Sequence, residues 1–123
     1  AKVAAALHDV GLDGFADRKP SALSGGQQSR VALARVLVAD RPVVLLDEPF
    51  GALGPALKDE MLDLVKAKLV SAGKTVLMVT HDPADAQRMA DMAALVADGT
   101  VSPPVATRDL FSNPPPALKA YLG

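Results

Sequence analysis

The stretch VVLLDEPF, residues 43–50, decides how the rest of the chain is read. Four consecutive aliphatic residues with no polar alternation predict a strand, Val43–Leu46, buried on both faces as in a parallel sheet. Arg41-Pro42 breaks whatever precedes it, and Asp47-Glu48-Pro49 ends it. Two adjacent carboxylates at the tip of an apolar strand are costly if buried unpaired. Asp47 at that tip suits Mg²⁺, held directly or through water. Glu48, one residue on, suits the polarisation of an attacking water as a general base. The plain alternative is a strand ending in two solvated acids. That fits an acid pair alone, but fits poorly a pair followed at once by Pro-Phe.

Working outward, the same grammar recurs. Thr75–Thr80 is a second strand, apolar from Val76 to Val79 and ending at His81. Between the two strands an amphipathic helix runs from about Pro55 to Val70, and Gly73 stops it. Gly73-Lys74-Thr75 imitates the end of a phosphate loop, but Lys68 stands where the first glycine of that loop is needed. The order is also inverted, since the motif follows a helix and opens a strand.

Beyond His81, a helix over about Pro83–Asp91 leads to a third strand at Ala93–Ala97. Asp98-Gly99 then makes a hairpin turn into Thr100–Val101. Two short helical pieces, near Thr107–Phe111 and Ala117–Leu122, close a Pro-rich tail. Alternating helix and buried strand gives an α/β protein with a partly parallel sheet. Ligands of such sheets lie beyond the carboxyl ends of the strands, which directs attention to Asp47, Glu48 and His81. An imidazole at that position suits a hydrogen bond to a terminal phosphate. His8, in the opening helix Lys2–Val10, has no such context and reads as structural.

Upstream, LSGGQQSRVALARVL, residues 23–37, places two glycines in the first turn of a helix expected over Ser24–Ala39. Each glycine costs a helix about 1 kcal/mol against alanine. Ser24 and Gln27 have capping-box spacing, which is the plain reading. The glycine pair adds a second one: bare amides at the positive end of a helix dipole, suited to an anion. The two readings are compatible.

Composition narrows the rest. The chain has 123 residues, 50% of them hydrophobic, with a net charge of −1 and aromatics at 3%. That is the length of one domain at most, with neither the basic surface nor the stacking platforms of a nucleic-acid binder. Cysteine is absent, which excludes disulfides and thiolate metal sites and fits a cytosolic protein. No signal peptide is expected, and no apolar run approaches the about 20 residues that cross a bilayer.

Taken together and in this order, LSGGQ, a helix, VVLLDEPFGAL and VTHD resemble the ATP-binding subunits of ABC transporters. The resemblance covers the whole chain, and Pro-Phe-Gly-Ala-Leu is similar to the corresponding run of bacterial solute importers. GPALKDEMLDLV and ALVADGTV resemble thiamine-import ATPases. It implies a partial P-loop NTPase (RecA-like) core with a mostly parallel sheet, plus the end of the ABC helical subdomain. Residues 1–40 would be the end of that subdomain with the signature helix. Residues 41–123 would be the C-terminal half of the ATPase core.

The resemblance also implies roles. Ser24, Gly25, Gly26 and Gln27 would bind the γ-phosphate of ATP held by the opposite subunit of a homodimer. Asp47 would serve Mg²⁺, Glu48 would be the catalytic base and His81 the switch histidine. Membrane permease subunits would be direct partners and a solute-binding protein an indirect one, with no nucleic acid. The location would be peripheral, on the cytoplasmic face of the inner membrane.

Two departures stand out. Gly54 replaces the aspartate that usually ends the loop after the glutamate. The family's Walker A loop, adenine-stacking aromatic and Q-loop glutamine have no counterpart in this sequence. The chain alone is therefore expected not to hold Mg-ATP and to be inactive, and its uncovered apolar faces are expected to drive self-association. Two other classes fit the same motifs: a non-transport ABC ATPase, and a non-catalytic chain that only completes a partner's ATP site. PFGAL and the lack of a long insertion near the signature count against the first.

Overall fold

The computed structural model describes residues 2–19, 21 and 23–123. They form a mixed α/β chain that divides into two compact units, residues 1–79 and 80–123.

The first unit opens with helix α1 (Lys2–Asp9), which packs on helix α2 (Gly25–Ala39). Ala6 and Leu7 of the first, Val10 just after it, and Leu33 and Ala34 of the second are buried. Gly11 takes a left-handed turn (φ 76°) that ends α1. Arg30 then ties the helices together: it donates to the Val10 carbonyl at 2.8 Å and forms an ion pair with Glu60. His8 pairs with Asp13 at 2.9 Å on the surface, in keeping with its structural reading.

Strand β1 (Val43–Asp47) and strand β2 (Thr75–Val79) form a parallel pair, with Val43 opposite Thr75 and Asp47 opposite Val79. The crossover between them is helix α3 (Pro55–Val65) continued by a π-helical segment, Lys66–Val70, which packs against β2. Met61, Leu62, Val65 and Leu69 are the fully buried side chains of this crossover. Gly73 (φ 81°) stops it, and Lys74 reaches back to Asp40 at 2.6 Å. The Gly-Lys-Thr run is thus a helix stop, as its order along the chain predicts, and its lysine adds an ion pair.

One expectation fails here. Val43–Leu46 is not buried on both faces: Val44 is 6% exposed, but Leu45 is 71% exposed and its neighbour Leu77 61%. In a two-stranded pair covered on one side only, every second residue is left open.

The second unit begins after β2. Helix α4 (Pro83–Met89) is followed by two short strands, β3 (Met92–Ala93) and β4 (Val96–Ala97), where the sequence predicts one. They belong to different antiparallel pairs. Strand β4 turns through Asp98 (φ 53°) and Gly99 (φ 74°) into β5 (Thr100–Val101), and β3 pairs with β6 (Val105–Ala106). Two consecutive positive φ values are the mark of a two-residue hairpin turn, which Asp-Gly favours. Helices α5 (Thr107–Ser112) and α6 (Pro116–Leu122) finish the chain, burying Leu110 and Leu118. A mostly parallel sheet is therefore not what these residues build. One parallel pair and two short antiparallel pairs stand as separate two-stranded sheets.

Candidate functional site

At the start of α2 the capping box is complete. The Gln27 amide donates to Ser24 Oγ at 3.2 Å, and the Ser24 amide donates to Gln27 Oε1 at 3.0 Å. The serine and glutamine side chains thereby fix the backbone of the turn that carries Gly25 and Gly26. Neither glycine is required by the fold itself. Their φ angles are not left-handed, and a Cβ added at Gly26 would meet only the Leu57 methyls at 3.4 and 3.6 Å. At Gly25 the nearest neighbour would be Leu53 Cδ2, at 4.0 Å. Those are ordinary van der Waals contacts with the tips of flexible side chains. The helix therefore carries two unfavourable residues without a packing reason, while the helix N-terminus that they expose attracts anions.

The contacts of Gly25 and Gly26 lead to the loop after β1, because Leu53 and Leu57 flank its end. Its beginning is Asp47-Glu48. Asp47 is exposed at the carboxyl tip of β1. Glu48 extends the ladder by one more bond, its amide donating to the Val79 carbonyl at 2.8 Å. Its φ is 48°, a left-handed conformation that costs a non-glycine residue about 1–3 kcal/mol and that gathers at functional positions. Its carboxylate lies over Gly51, where a Cβ would stand 3.6 Å from Glu48 Oε2. Among the described residues no group of three or more His, Cys, Asp or Glu is arranged to hold a metal ion. A single exposed aspartate oxygen donor set fits Mg²⁺ shared with phosphates, which takes one or two carboxylates rather than a protein cage.

His81 lies in the second unit, exposed, in the turn that leads into α4. Asp82 caps that helix by accepting from the Ala84 amide at 3.0 Å. Thr80 Oγ1 accepts from the Asp82 amide at 3.1 Å and donates to the buried Asp85 carboxylate at 2.9 Å. The Tyr121 hydroxyl, on α6, donates to the His81 carbonyl. The structure thus brings Ser24–Gln27 and Asp47-Glu48 into one unit, linked by the loop between β1 and α3, and holds His81 in the other. Sequence reasoning passes over Thr80, Asp85 and Tyr121. Thr80 and Asp85 were in reach through their i, i+5 spacing around a strand end. Tyr121, forty residues downstream, carries no local signal.

Comparison with known proteins follows the same lines. The ABC transporter family matches residues 1–51. The thiamine import ATP-binding protein ThiQ of Ruegeria sp. (strain TM1040) is 62% identical over 118 residues, which cover 96% of this chain and 51% of that protein. The ThiQ protein of Cereibacter sphaeroides is 60% identical over 123 residues, covering 100% of this chain and 53% of its own length. A solved structure described as an inward-facing conformation of a metal-chelate type ABC transporter superposes with a TM-score of 0.78 at 30% identity. That match covers 89% of this chain and 43% of the solved one. The chain spans about half the length of the curated relatives it matches. By these matches the chain is similar to the ATP-binding proteins of ABC transporters over nearly its whole length.

Proposed function

We propose that this chain is the C-terminal half of the ATP-hydrolysing subunit of an ABC importer of the thiamine-import type. The observation that carries the reading is 62% identity, over 96% of the chain, to a thiamine import ATP-binding protein. Residues 1–40 supply the signature helix, and residues 41–123 supply part of the ATPase core. The capped turn Ser24–Gln27 presents the amides of Gly25 and Gly26 to the γ-phosphate of an ATP held by a second copy of the subunit. Asp47 holds Mg²⁺, which when bound spreads the charge of the phosphates. Glu48 orients the attacking water and takes its proton, and the His81 imidazole hydrogen-bonds the phosphate being transferred. The left-handed backbone of Glu48 supports its assignment, because strain persists where geometry serves chemistry.

A dimer of the intact subunit would work at the cytoplasmic face of the inner membrane, against permease subunits that receive solute from a binding protein. No helix among the described residues is long and apolar enough to cross a membrane. The chain alone, with no phosphate loop in its sequence, is proposed to be inactive.

The test is Glu48→Gln in the full-length subunit assembled with its permease. Loss of a positioned base lowers turnover by about 10²–10⁴, and the same variant of the full-length subunit without permease accumulates as an ATP-bound dimer on size-exclusion chromatography. Turnover at the wild-type rate removes Glu48 from the mechanism.

A further inference from the structure

The turn that carries His81 is held from two directions by residues that make no contact of their own with a nucleotide in the scheme above. On one side stands a buried anchor. Asp85 is 8% exposed, on the first turn of α4, and accepts the Thr80 hydroxyl at 2.9 Å. The same Thr80 oxygen receives the Asp82 amide at 3.1 Å, and the Asp85 amide donates to the Asp82 carbonyl at 3.1 Å. The residues before and after His81 are thereby tied to one buried carboxylate.

On the other side stands α6, anchored by buried Leu118, whose next-turn residue Tyr121 gives its phenol proton to the carbonyl of His81 itself. Tyr121 is 60% exposed, and its hydroxyl links α6 to this turn. The His81 side chain remains exposed beyond this double hold. A side chain that must meet a phosphate within hydrogen-bond distance needs its backbone fixed to well under an ångström, since small misplacements are expensive in rate.

We infer that Asp85, acting through Thr80, and Tyr121, acting on the His81 carbonyl, are positioning residues for His81, and that α6 is the element that sets the histidine's placement for hydrolysis. The inference rests on the proposed role of His81. It assigns the end of the chain a part in the chemistry, where its sequence reads only as a short helical close.

The experiment is a double-mutant cycle in the full-length subunit assembled with its permease, reading ATP hydrolysis. Tyr121→Phe keeps the ring and removes the donor. Thr80→Val keeps the shape and removes the link to Asp85. Each is expected to lower kcat by about 3- to 10-fold, the range of one lost hydrogen bond, with KM for ATP unchanged. The thermal midpoint stays for Tyr121→Phe and falls for Thr80→Val, which leaves the buried Asp85 carboxylate short of a donor. In a His81→Ala background the same substitutions are expected to change the residual kcat by less than about 1.5-fold, because residues acting through His81 have nothing left to place. The inference is overturned if Tyr121→Phe and Thr80→Val hydrolyse ATP as the wild type does. It is equally overturned if their losses persist undiminished beside His81→Ala, or if KM rises in proportion. His81→Ala alone reports on the underlying reading. Full activity there removes His81 and this inference together, whereas a crippled His81→Ala with inert partners removes the inference only.

Discussion

Among the described residues three that are not glycine hold a left-handed backbone: Asp40, Glu48 and Asp98. Asp98 does so because a two-residue hairpin demands it, and Glu48 does so at the candidate site. Asp40 does so as the C-cap of α2, where its amide donates to the Val36 carbonyl at 3.2 Å. Its side chain then has a second use. The hydrogen bond from Lys74, helped by the charge of that ammonium and more weakly by Lys2, holds the Asp40 carboxyl below its ordinary range. A carboxyl with a depressed value in the folded state binds its proton less readily there than when unfolded. Its stabilisation is full above the unfolded value, near 3.9, and disappears as pH falls through the folded one. Asp40→Asn keeps a side chain that tolerates the left-handed cap and removes the titration. We expect the variant to lose less of its urea midpoint than the wild type between pH 7 and pH 3. The difference will be small, because Asp40 is 63% exposed and water screens the pair. Equal losses in both proteins would remove the ion pair from the acid limb.

At the scale of elements, α2 poses the sharpest test, because its fold and its use pull in opposite directions. Its start was legible to the residue: Ser24 and Gln27 form the box their spacing predicts, and Ala39 is the last helical residue expected and observed. What the glycines are for is legible only once the space around them is known. Gly26→Ala should leave the helix intact and stabilise the protein by up to about 1 kcal/mol, since the Leu57 methyls stand at contact distance rather than in collision. On the proposed reading a glycine here lets the phosphate approach the bare amides of the turn closely, so ATP turnover in the assembled full-length subunit should fall at least about tenfold. A rise in melting temperature with unchanged turnover would assign Gly26 to history rather than chemistry.

Other elements were less legible. The run Ala93–Ala97 reads as one strand because its residues are uniformly apolar, and nothing local shows that its two ends pair with different partners. The π-helical segment Lys66–Val70 continues the apolar spacing of α3, so periodicity alone does not separate them. The conformation of Glu48 was not legible either, since left-handed backbone is written by the ladder bond to Val79 and the loop after it, not by glutamate.

At the scale of the whole molecule, the unmet expectation about β1 is the informative one. The aliphatic run was read correctly as a strand in a parallel pair and incorrectly as covered on both faces. Composition records what a strand's faces prefer, whereas burial depends on which elements are present to cover them. Val43, Leu45, Leu77 and Val79 lie open at 55–71% exposure, on one face by their register. Covering a leucine side chain fully is worth about 1.5–3 kcal/mol, so bringing two such faces together offers a strong gain. The 123-residue chain is therefore expected to self-associate through this face. Replacing Leu45 and Leu77 together by Lys places two charges per chain where like would meet like. Both side chains are already in water, so secondary structure by circular dichroism should be kept while the mass by light scattering falls toward that of a monomer. If the unsubstituted chain is already a monodisperse monomer, the open face does not drive assembly. If the doubly substituted chain associates as before, the assembly uses another surface, and the exposed leucines are only a sign of what the strand was built to carry.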